Sequence, residues 1–374
     1  MSTNLRELLE EMVHRDASDL YITVDAPPMY RVEGITYASG DRRYSPEETE
    51  AMTLALMSDT QKRYFSRRWE MNLAISYPTL GRFRVNIFRQ RGYYGMVLRQ
   101  IKTHIKTIDD WGLPQIFKEI VMTKRGLVLV AGRTGSGKST TLAALIDYRN
   151  SNATGHIVTI EDPIEFVHHH KMSIITQREI GIDTHGYATA LKHTLRQAPD
   201  VILIGEVRDV ETMEAAIDYA ETGHLCLGTI HANNANQAIE RVMNFFPSER
   251  HPQIYLQLSL NLKSIISQRL LPSVDGTRVA AVEILLDTPR VKDLIHKGRA
   301  DLIKDAMAHG AGEGMQTFDQ SIFDLYMQGI IDYDTAIAYA DSANDLRLRI
   351  KMEEVGDRKE ETELALRIKP DTRF

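Results

Sequence analysis

The chain has 374 residues, which is too long for one ordinary core and favours two domains. Hydrophobic residues make up 43% of it and charged residues 26%, close to the globular average, which excludes disorder as the main state. The 45 basic and 51 acidic side chains give a net charge of −6, so the chain has no overall basic footprint for nucleic acid, although a local basic groove remains compatible with it.

The single cysteine, Cys226, excludes an internal disulfide and a cysteine-based zinc cluster, and it fits a reducing compartment. Residues 1–11 form an acidic amphipathic pattern rather than a secretory signal. No apolar run approaches the roughly 18 residues that a membrane span needs. We therefore expect a cytosolic protein that reaches a membrane only through partners.

Residues 1–103 predict a small α+β domain. It opens with apolar residues at helical spacing, which are Leu5, Leu8, Leu9, Met12 and Val13. Short strands and a helical stretch over Pro46–Phe65 follow. Two strand-like runs, Arg82–Arg89 and Tyr93–Ile101, predict a hairpin. The polar segment 104–116 is the predicted hinge linker.

Alternation along this hairpin assigns its side chains to two faces. Phe83, Val85 and Ile87 share one face, which predicts that they are buried. Arg84 on the first strand and Arg99 on the second fall on the other face and could meet across the hairpin. A solvated sheet face is the ordinary interpretation of such a pattern.

Residues 117–346 predict an α/β domain. The continuous apolar strand Gly126–Ala131 is followed by a glycine-rich turn and a helix over Thr140–Asn150. Two further buried strands are predicted, at His156–Ile160 and Val201–Ile204. Because strands alternate with helices, we expect a mostly parallel sheet covered on both faces.

The C-terminal part is predicted to be helical beyond Val291. The helical spacing of Val291, Leu294 and Ile295 predicts a helix that docks on the second domain. Residues 347–374 form a charged C-terminal extension that we expect to add little to the core.

The strongest motif is Gly132-Arg-Thr-Gly-Ser-Gly-Lys-Ser139, a complete G-x-x-x-x-G-K-[ST] loop between a strand and a helix. Its backbone N–H groups and the helix N-terminus suit the phosphates of ATP, with Lys138 on the β and γ oxygens and Ser139 on Mg²⁺. The predicted nucleotide-binding residues of the loop are Gly132, Thr134, Gly135, Ser136, Gly137, Lys138, Ser139 and Thr140.

Acidic residues follow two other predicted strands. The strand Asp200–Gly205 ends at Glu206, which would point into the crevice above the sheet. Thr159–Glu165 carries three carboxylates within five residues, one of which would suffice to position water. Taken alone, this acidic cluster is as typical of an ordinary acidic loop as of a catalytic site.

Four motifs together resemble the secretion ATPase superfamily. Gly132–Ser139, Thr159–Glu165, Asp200–Asp209 and Gly223–His231 look like its Walker A, Asp box, Walker B and His box, in that order. The resemblance is greatest to the PilT/PilU branch, the retraction ATPases of bacterial type IV pili, and extends over residues 1–345. It implies a PAS-like N-terminal domain followed by a RecA-like P-loop ATPase domain with a helical C-terminal part.

The resemblance also implies roles for individual residues. Glu165 would be the general base, Glu206 would act on Mg²⁺ through water, and His231 would sense the γ-phosphate. Arg84 and Arg99 would stabilise transition-state charge on the nucleotide of a neighbouring subunit. Arg241 is a further candidate for contact with the phosphates.

The same resemblance implies how the protein works. The family forms homohexameric rings in which ATP hydrolysis moves a partner at the ring centre. The implied partners are a PilT-type ATPase and the inner-membrane pilus platform protein, with no direct nucleic-acid contact. This implies a cytoplasmic protein, peripheral at the inner membrane at the pilus base.

Two departures from the PilT pattern favour the accessory PilU-type ATPase. Thr288–Ile295 replaces an Ala-Ile-Arg stretch, and the chain continues past Ile350 in the charged extension. The alternative enzyme is a pilus-assembly or type II secretion ATPase, which the missing four-cysteine motif disfavours. A RecA-like nucleic-acid motor and a non-hydrolysing ring partner are the other hypotheses. The net charge weakens the first, and Lys138, Glu165 and Glu206 argue against the second.

Overall fold

A computed structural model describes residues 5–353 of the chain. Within that range the α-helices are α1 Leu5–His14, α2 Pro46–Ala55, α3 Asp59–Arg68, α4 Ile116–Met122, α5 Lys138–Asn152, α6 Tyr187–Thr194, α7 Val210–Glu221, α8 Ala235–Met243, α9 His251–Asn261, α10 Pro289–His296, α11 Ile303–His309, α12 Phe318–Met327 and α13 Tyr333–Tyr339. The strands are β1 Asp19–Ile22, β2 Met29–Val32, β3 Ile35–Ala38, β4 Glu70–Tyr77, β5 Gly81–Gln90, β6 Tyr93–Ile101, β7 Gly126–Ala131, β8 Gly155–Glu161, β9 Ser173–Glu179, β10 Val201–Ile204, β11 Leu225–Ile230, β12 Leu262–Pro272 and β13 Arg278–Leu286.

The described chain divides into two compact units. The first contains the residues up to Thr107 together with Asn150–Ala198, and the second contains Ile108–Arg149 together with the residues from Pro199 onward. The division into domains at 1–103, 104–116, 117–346 and 347–374 stays a prediction. No helix within residues 5–353 combines the length and the apolar character needed to cross a membrane.

The first unit contains an antiparallel sheet with the strand order β3-β2-β1-β6-β5-β4. The hairpin β5–β6 turns at Arg91 and Gly92, which both have positive φ as a two-residue hairpin turn requires. Phe83, Val85 and Ile87 are fully buried, as their alternation predicted. The sheet therefore buries one face against α1, α2 and α3 and leaves its arginines on the other.

The second unit contains five strands in the order β13-β12-β7-β11-β10. β10, β11, β7 and β12 run parallel, and β13 returns antiparallel to β12. The strands β7, β10 and β11 are buried along their whole length. This confirms the mostly parallel, covered sheet, because strands buried on both faces are continuous apolar runs. The mixed α/β fold class is likewise confirmed.

Helices complete the core of the second unit at its C-terminal side. In α10 the residues Val291, Leu294 and Ile295 are buried, which confirms the predicted docking of this helix. A helix over residues 343–353 buries Ile350 in a cluster that includes Phe318 and Phe323. The predicted extension 347–374 thus begins inside a packed helix, and its part beyond residue 353 lies outside the described residues.

Several elements differ from the sequence prediction. The stretch Pro46–Phe65 is two helices rather than one, because Ser58 interrupts it and forms the N-terminal capping box of α3 with Gln61. The strands β3, β9 and β11 and the hairpin β12–β13 were not predicted. β12 was missed because Lys263, Ser264, Ser267, Gln268 and Arg269 interrupt its apolar residues without strict alternation, and β13 because its nearly continuous apolar run is compatible with a helix as well as with a strand.

Candidate functional site

The loop Gly132–Ser139 connects β7 to α5 in the second unit, as its motif predicted. Gly135 and Gly137 have φ of 79° and 90°, in the left-handed region that favours glycine. At Gly132 an added Cβ would lie 2.2 Å from the Ser136 Oγ, so no larger side chain fits there. The loop is therefore folded tightly around its own backbone, as a phosphate cradle must be.

Two polar side chains of the loop point toward its interior. The Lys138 Nζ donates hydrogen bonds to the backbone carbonyl oxygens of Gly132 at 2.8 Å and of Arg133 at 2.9 Å. The Ser136 Oγ is buried and has no hydrogen-bond partner among the described residues. A buried hydroxyl without a partner and an ammonium group inside the loop both suit an anionic ligand in the cradle.

Glu206 and His231 lie at the ends of neighbouring parallel strands. Glu206 follows β10 and His231 follows β11, and the two strands are in register. The His231 Nε2 lies 3.3 Å from a carboxylate oxygen of Glu206. Both side chains remain partly exposed, at 43% for His231 and 39% for Glu206. The site thus gathers the predicted Walker B acid and the predicted His-box histidine at one edge of the sheet.

A cleft of about 480 Å³ opens beside the phosphate loop. The loop residues Arg133 and Thr134 form one wall, and α8 with the segment before it forms the other, including Arg241 and His231. The Arg133 Nε donates a hydrogen bond to the Asn233 Oδ1 at 3.0 Å and so connects the two walls. The predicted phosphate candidate Arg241 therefore lines the same cleft as the loop.

In the first unit, Arg84 and Arg99 are directly opposed residues of the β5–β6 pair, as their predicted face required. The Arg99 Nε donates a hydrogen bond of 2.8 Å to the Asp19 Oδ1, and Asp19 is only 2% exposed. Since a buried carboxylate holds its guanidinium in a fixed orientation, Asp19 positions Arg99 on the polar face of the sheet. Sequence reasoning missed Asp19 because it lies eighty residues away along the chain.

The acidic segment of the first unit follows β8. Glu165 is exposed in the loop, while the Glu161 carboxylate accepts hydrogen bonds from the Thr159 hydroxyl at 2.6 Å and from the Gln177 side chain at 3.2 Å. Burial raises the pKa of Glu161 to about 7, although these two hydrogen bonds oppose the increase. The charge of Glu165 adds to the increase. Glu161 is therefore a partly buried carboxyl that hydrogen bonds hold in place, and Glu165 is the acid that faces solvent.

A buried acid of the same unit, Glu179, was not predicted. It lies at the end of β9, is 2% exposed, and has the Arg82 guanidinium 3.7 Å away. Burial raises the pKa of Glu179, and the charges of Arg82 and Arg84 oppose that increase. The first unit thus brings Arg84 into the electrostatic environment of the acids. The available signal was Gln177-Arg-Glu179, a charged end on a strand that the sequence analysis did not identify.

The structure collects the predicted site residues in two groups. The second unit contains the phosphate loop, Glu206, His231 and Arg241, and the first unit contains Glu165, Arg84 and Arg99. The loop, the strand-end acid and the covered parallel sheet define a P-loop nucleotide-binding protein.

Residues 2–311 match the family of type II/IV secretion system proteins, and the chain belongs to this family. It is 54% identical over 347 residues to the type IV pilus ATPase PilU of Pseudomonas aeruginosa, covering 92% of this chain and 91% of the relative. It is 41% identical to the retraction ATPase PilT of the same organism, covering 89% of this chain and 97% of that one. The crystal structure of the pilus retraction motor PilT with bound ADP matches with a TM-score of 0.86 and 39% identity, covering 92% of this chain and 99% of that one.

Proposed function

We propose that this chain is a hexameric, ATP-hydrolysing motor that drives or assists the retraction of type IV pili, as an accessory ATPase of the PilU type. The observation that carries the proposal is the 54% identity to PilU over 92% of the chain, which includes every motif of the site. The tight phosphate loop and the facing Glu206 and His231 support nucleotide hydrolysis as the activity.

The phosphate loop would bind the β- and γ-phosphates of ATP. Lys138, which now contacts two loop carbonyls, would turn its ammonium group to the phosphate oxygens. The Ser139 hydroxyl and, through water, the Glu206 carboxylate would hold Mg²⁺, since both offer the oxygen ligands that this ion prefers. Bound Mg²⁺ would neutralise charge on the phosphates.

Glu165 would accept the proton of the attacking water. Its exposed carboxylate suits this role better than that of Glu161, which burial and two hydrogen bonds hold in place. Arg84 and Arg99 would act on the nucleotide of a neighbouring subunit in the ring, and their position on one polar sheet face supports a joint role. His231 would report the γ-phosphate to Glu206.

A ring of this kind would act at the cytoplasmic side of the inner membrane, at the base of the pilus. Its partners would be a PilT-type ATPase and the membrane platform protein of the pilus, and it would reach the membrane only through them. The accessory role rests on the greater identity to PilU, 54%, than to PilT, 41%.

The test is pilus retraction in strains that carry this chain with and without a PilT-type partner. Without the partner, we expect pili to assemble and not to retract. With a hydrolysis-dead partner, this chain should restore part of the retraction. Its Lys138→Ala variant should restore none, whereas the control variant Lys124→Ala, at an exposed position, should act like the parent. Full retraction by this chain alone would indicate a stand-alone motor. No retraction in any combination, with ATP hydrolysis intact, would favour a pilus-assembly or secretion ATPase.

A further inference from the structure

A buried glutamine on β12 contacts the phosphate loop from below. Gln268 is 4% exposed, and its strand pairs in parallel with β7, where Ser267 is the partner of Ala131, the residue before the loop. This register places Gln268 beside Gly132, at the point where the loop leaves the sheet. A carboxamide that is buried at this point needs hydrogen-bond partners.

The backbone of the loop approaches Gln268 at both of its ends. A Cβ added at Gly132 would lie 2.8 Å from the backbone carbonyl oxygen of Gln268. A Cβ added at Gly137 would lie 2.7 Å from the Gln268 Nε2. Gly137 immediately precedes Lys138, so the glutamine fills the space directly beneath the residues that would hold the phosphates. The side chain of Gln268 therefore lies against Gly137, whereas the close approach to Gly132 is made by the backbone of Gln268.

The orientation of the Gln268 carboxamide is fixed by α5. The Thr141 hydroxyl donates a hydrogen bond of 2.6 Å to the Gln268 Oε1, and Thr141 is 1% exposed. With Oε1 bonded to α5, Nε2 is directed at the loop backbone near Gly137. One amide that belongs to neither element is thus hydrogen-bonded to the helix and lies close to the loop.

We propose that Gln268 is a positioning residue for nucleotide binding, whose carboxamide holds the phosphate loop in its binding conformation through the hydrogen bond from Thr141 and the close approach to Gly137. This proposal rests on the proposed function, because it assumes that the loop binds a nucleotide. Gln268 lies outside the four motifs of the site, yet it would affect the affinity for nucleotide. Loss of the amide should leave the fold intact and let the loop relax from its cradle.

The test measures the affinity of purified full-length variants for a fluorescent ADP analogue. Gln268→Met keeps the length of the side chain and removes the amide, and we expect the Kd to rise about tenfold, since a hydrogen bond lost inside a site has an effect of that order. Thr141→Val should raise the Kd by a similar factor, whereas Thr141→Ser, which keeps the hydroxyl, should not. The double variant should be no weaker than either single variant, because both remove the same contact.

Thr53→Val is the matched control, since the Thr53 hydroxyl is also fully buried and donates a 2.6 Å hydrogen bond, but within α2. It should lower the Tm and leave the Kd unchanged. Folded Gln268→Met and Thr141→Val proteins with the parental Kd would overturn the proposal, as would equal losses for Thr141→Ser and Thr141→Val. A parent chain that binds the ADP analogue without hydrolysing ATP would contradict the proposed function alone, and the positioning role would still be measured.

Discussion

The His231 Nε2 lies 3.3 Å from the Glu206 Oε1, across the ends of β11 and β10. The two strands are held in register at this end, where the Val207 backbone N–H donates a hydrogen bond of 2.8 Å to the Thr229 carbonyl oxygen. An imidazole between a strand-end acid and a phosphate loop can respond to a γ-phosphate and change the environment of that acid at the same time.

This pairing predicts a difference between ATP and ADP in a His231→Ala variant. We expect weaker ATP binding with unchanged ADP binding, and a hydrolysis rate that falls by about 10²-fold, as for the loss of one donor to a developing charge. Nucleotide titration and steady-state hydrolysis measure both. His224→Ala is the control, because the His224 Nδ1 lies close to the Tyr219 carbonyl at the end of α7. Equal loss of ATP and ADP affinity would exclude a sensing role for His231.

Glutamine variants should distinguish the proposed roles of Glu165 and Glu206. Glu165→Gln keeps the shape of the side chain and loses its proton-accepting ability, so we expect normal nucleotide affinity and hydrolysis slower by roughly 10²–10⁴-fold. Glu206→Gln should instead raise the Mg²⁺ concentration needed for activity. Parental hydrolysis in Glu165→Gln, together with a hydrolysis-dead Glu206→Gln, would mean that the two roles are reversed.

The proposed action of Arg84 and Arg99 on a neighbouring subunit predicts complementation between inactive variants. Lys138→Ala subunits and Arg84→Ala subunits should each be inactive, because an arginine finger contributes on the order of 10³–10⁵ in rate. Mixing them should restore part of the ATPase activity at interfaces that combine an intact loop with an intact arginine. Arg67→Ala, at an exposed position on α3, should be active by itself. The trans assignment would have no support if no mixing ratio gave activity.

Glu283 predicts a pH-dependent stability. It is 1% exposed, and its Oε1 accepts a 2.7 Å hydrogen bond from the backbone N–H of Ala235 at the start of α8. Burial raises the pKa of Glu283 to about 7, and the negative charge of Asp341 contributes to this increase. The hydrogen bond from Ala235 and the positive charges of Lys304 and Arg269 oppose the increase. The unfolded chain, with the ordinary value of 4.5, therefore loses this proton first as pH rises.

Between about pH 4.5 and 7 the contribution of Glu283 to the free energy of unfolding should thus decrease as pH rises. Glu283→Gln cannot ionise, so its free energy of unfolding relative to that of the parent should increase by up to about 3 kcal/mol as pH rises across this interval. Denaturant unfolding at pH 5 and pH 8 measures the difference. Glu249→Gln, at an exposed position, is the control and should keep the pH dependence of the parent. The same parental pH dependence in Glu283→Gln would show that the pKa of Glu283 is not raised.

The end of the chain predicts a sharp truncation boundary. Ile350 is 1% exposed, and the Arg349 guanidinium lies 4.0 Å from the centroid of the Phe323 ring. A chain ending at Leu346 should lose about 2 kcal/mol or more of stability, because a buried isoleucine is removed. A chain ending at Glu353 should keep the parental Tm in thermal unfolding. Equal Tm values for both truncations would show that the helix over 343–353 contributes no stability.

Much of the fold and of the candidate site could be predicted because the relevant physics is local. A strand alternates its side chains every two residues, so Phe83, Val85 and Ile87 could be assigned to the core and Arg84 to the opposite face. A phosphate loop is a property of eight consecutive residues, which fix its turn, its helix and its lysine. Helical spacing likewise sufficed to predict the docking of α10.

What only the tertiary structure decided are contacts between residues far apart in sequence. Gln268 meets Thr141 across 127 positions, and Arg99 meets Asp19 across eighty, so no periodicity or spacing relates the members of either pair. These contacts depend on which strands become neighbours and in which register. Burial then selects polar partners and shifts the pKa of Glu283, because a group removed from water must find its hydrogen bonds wherever the fold supplies them.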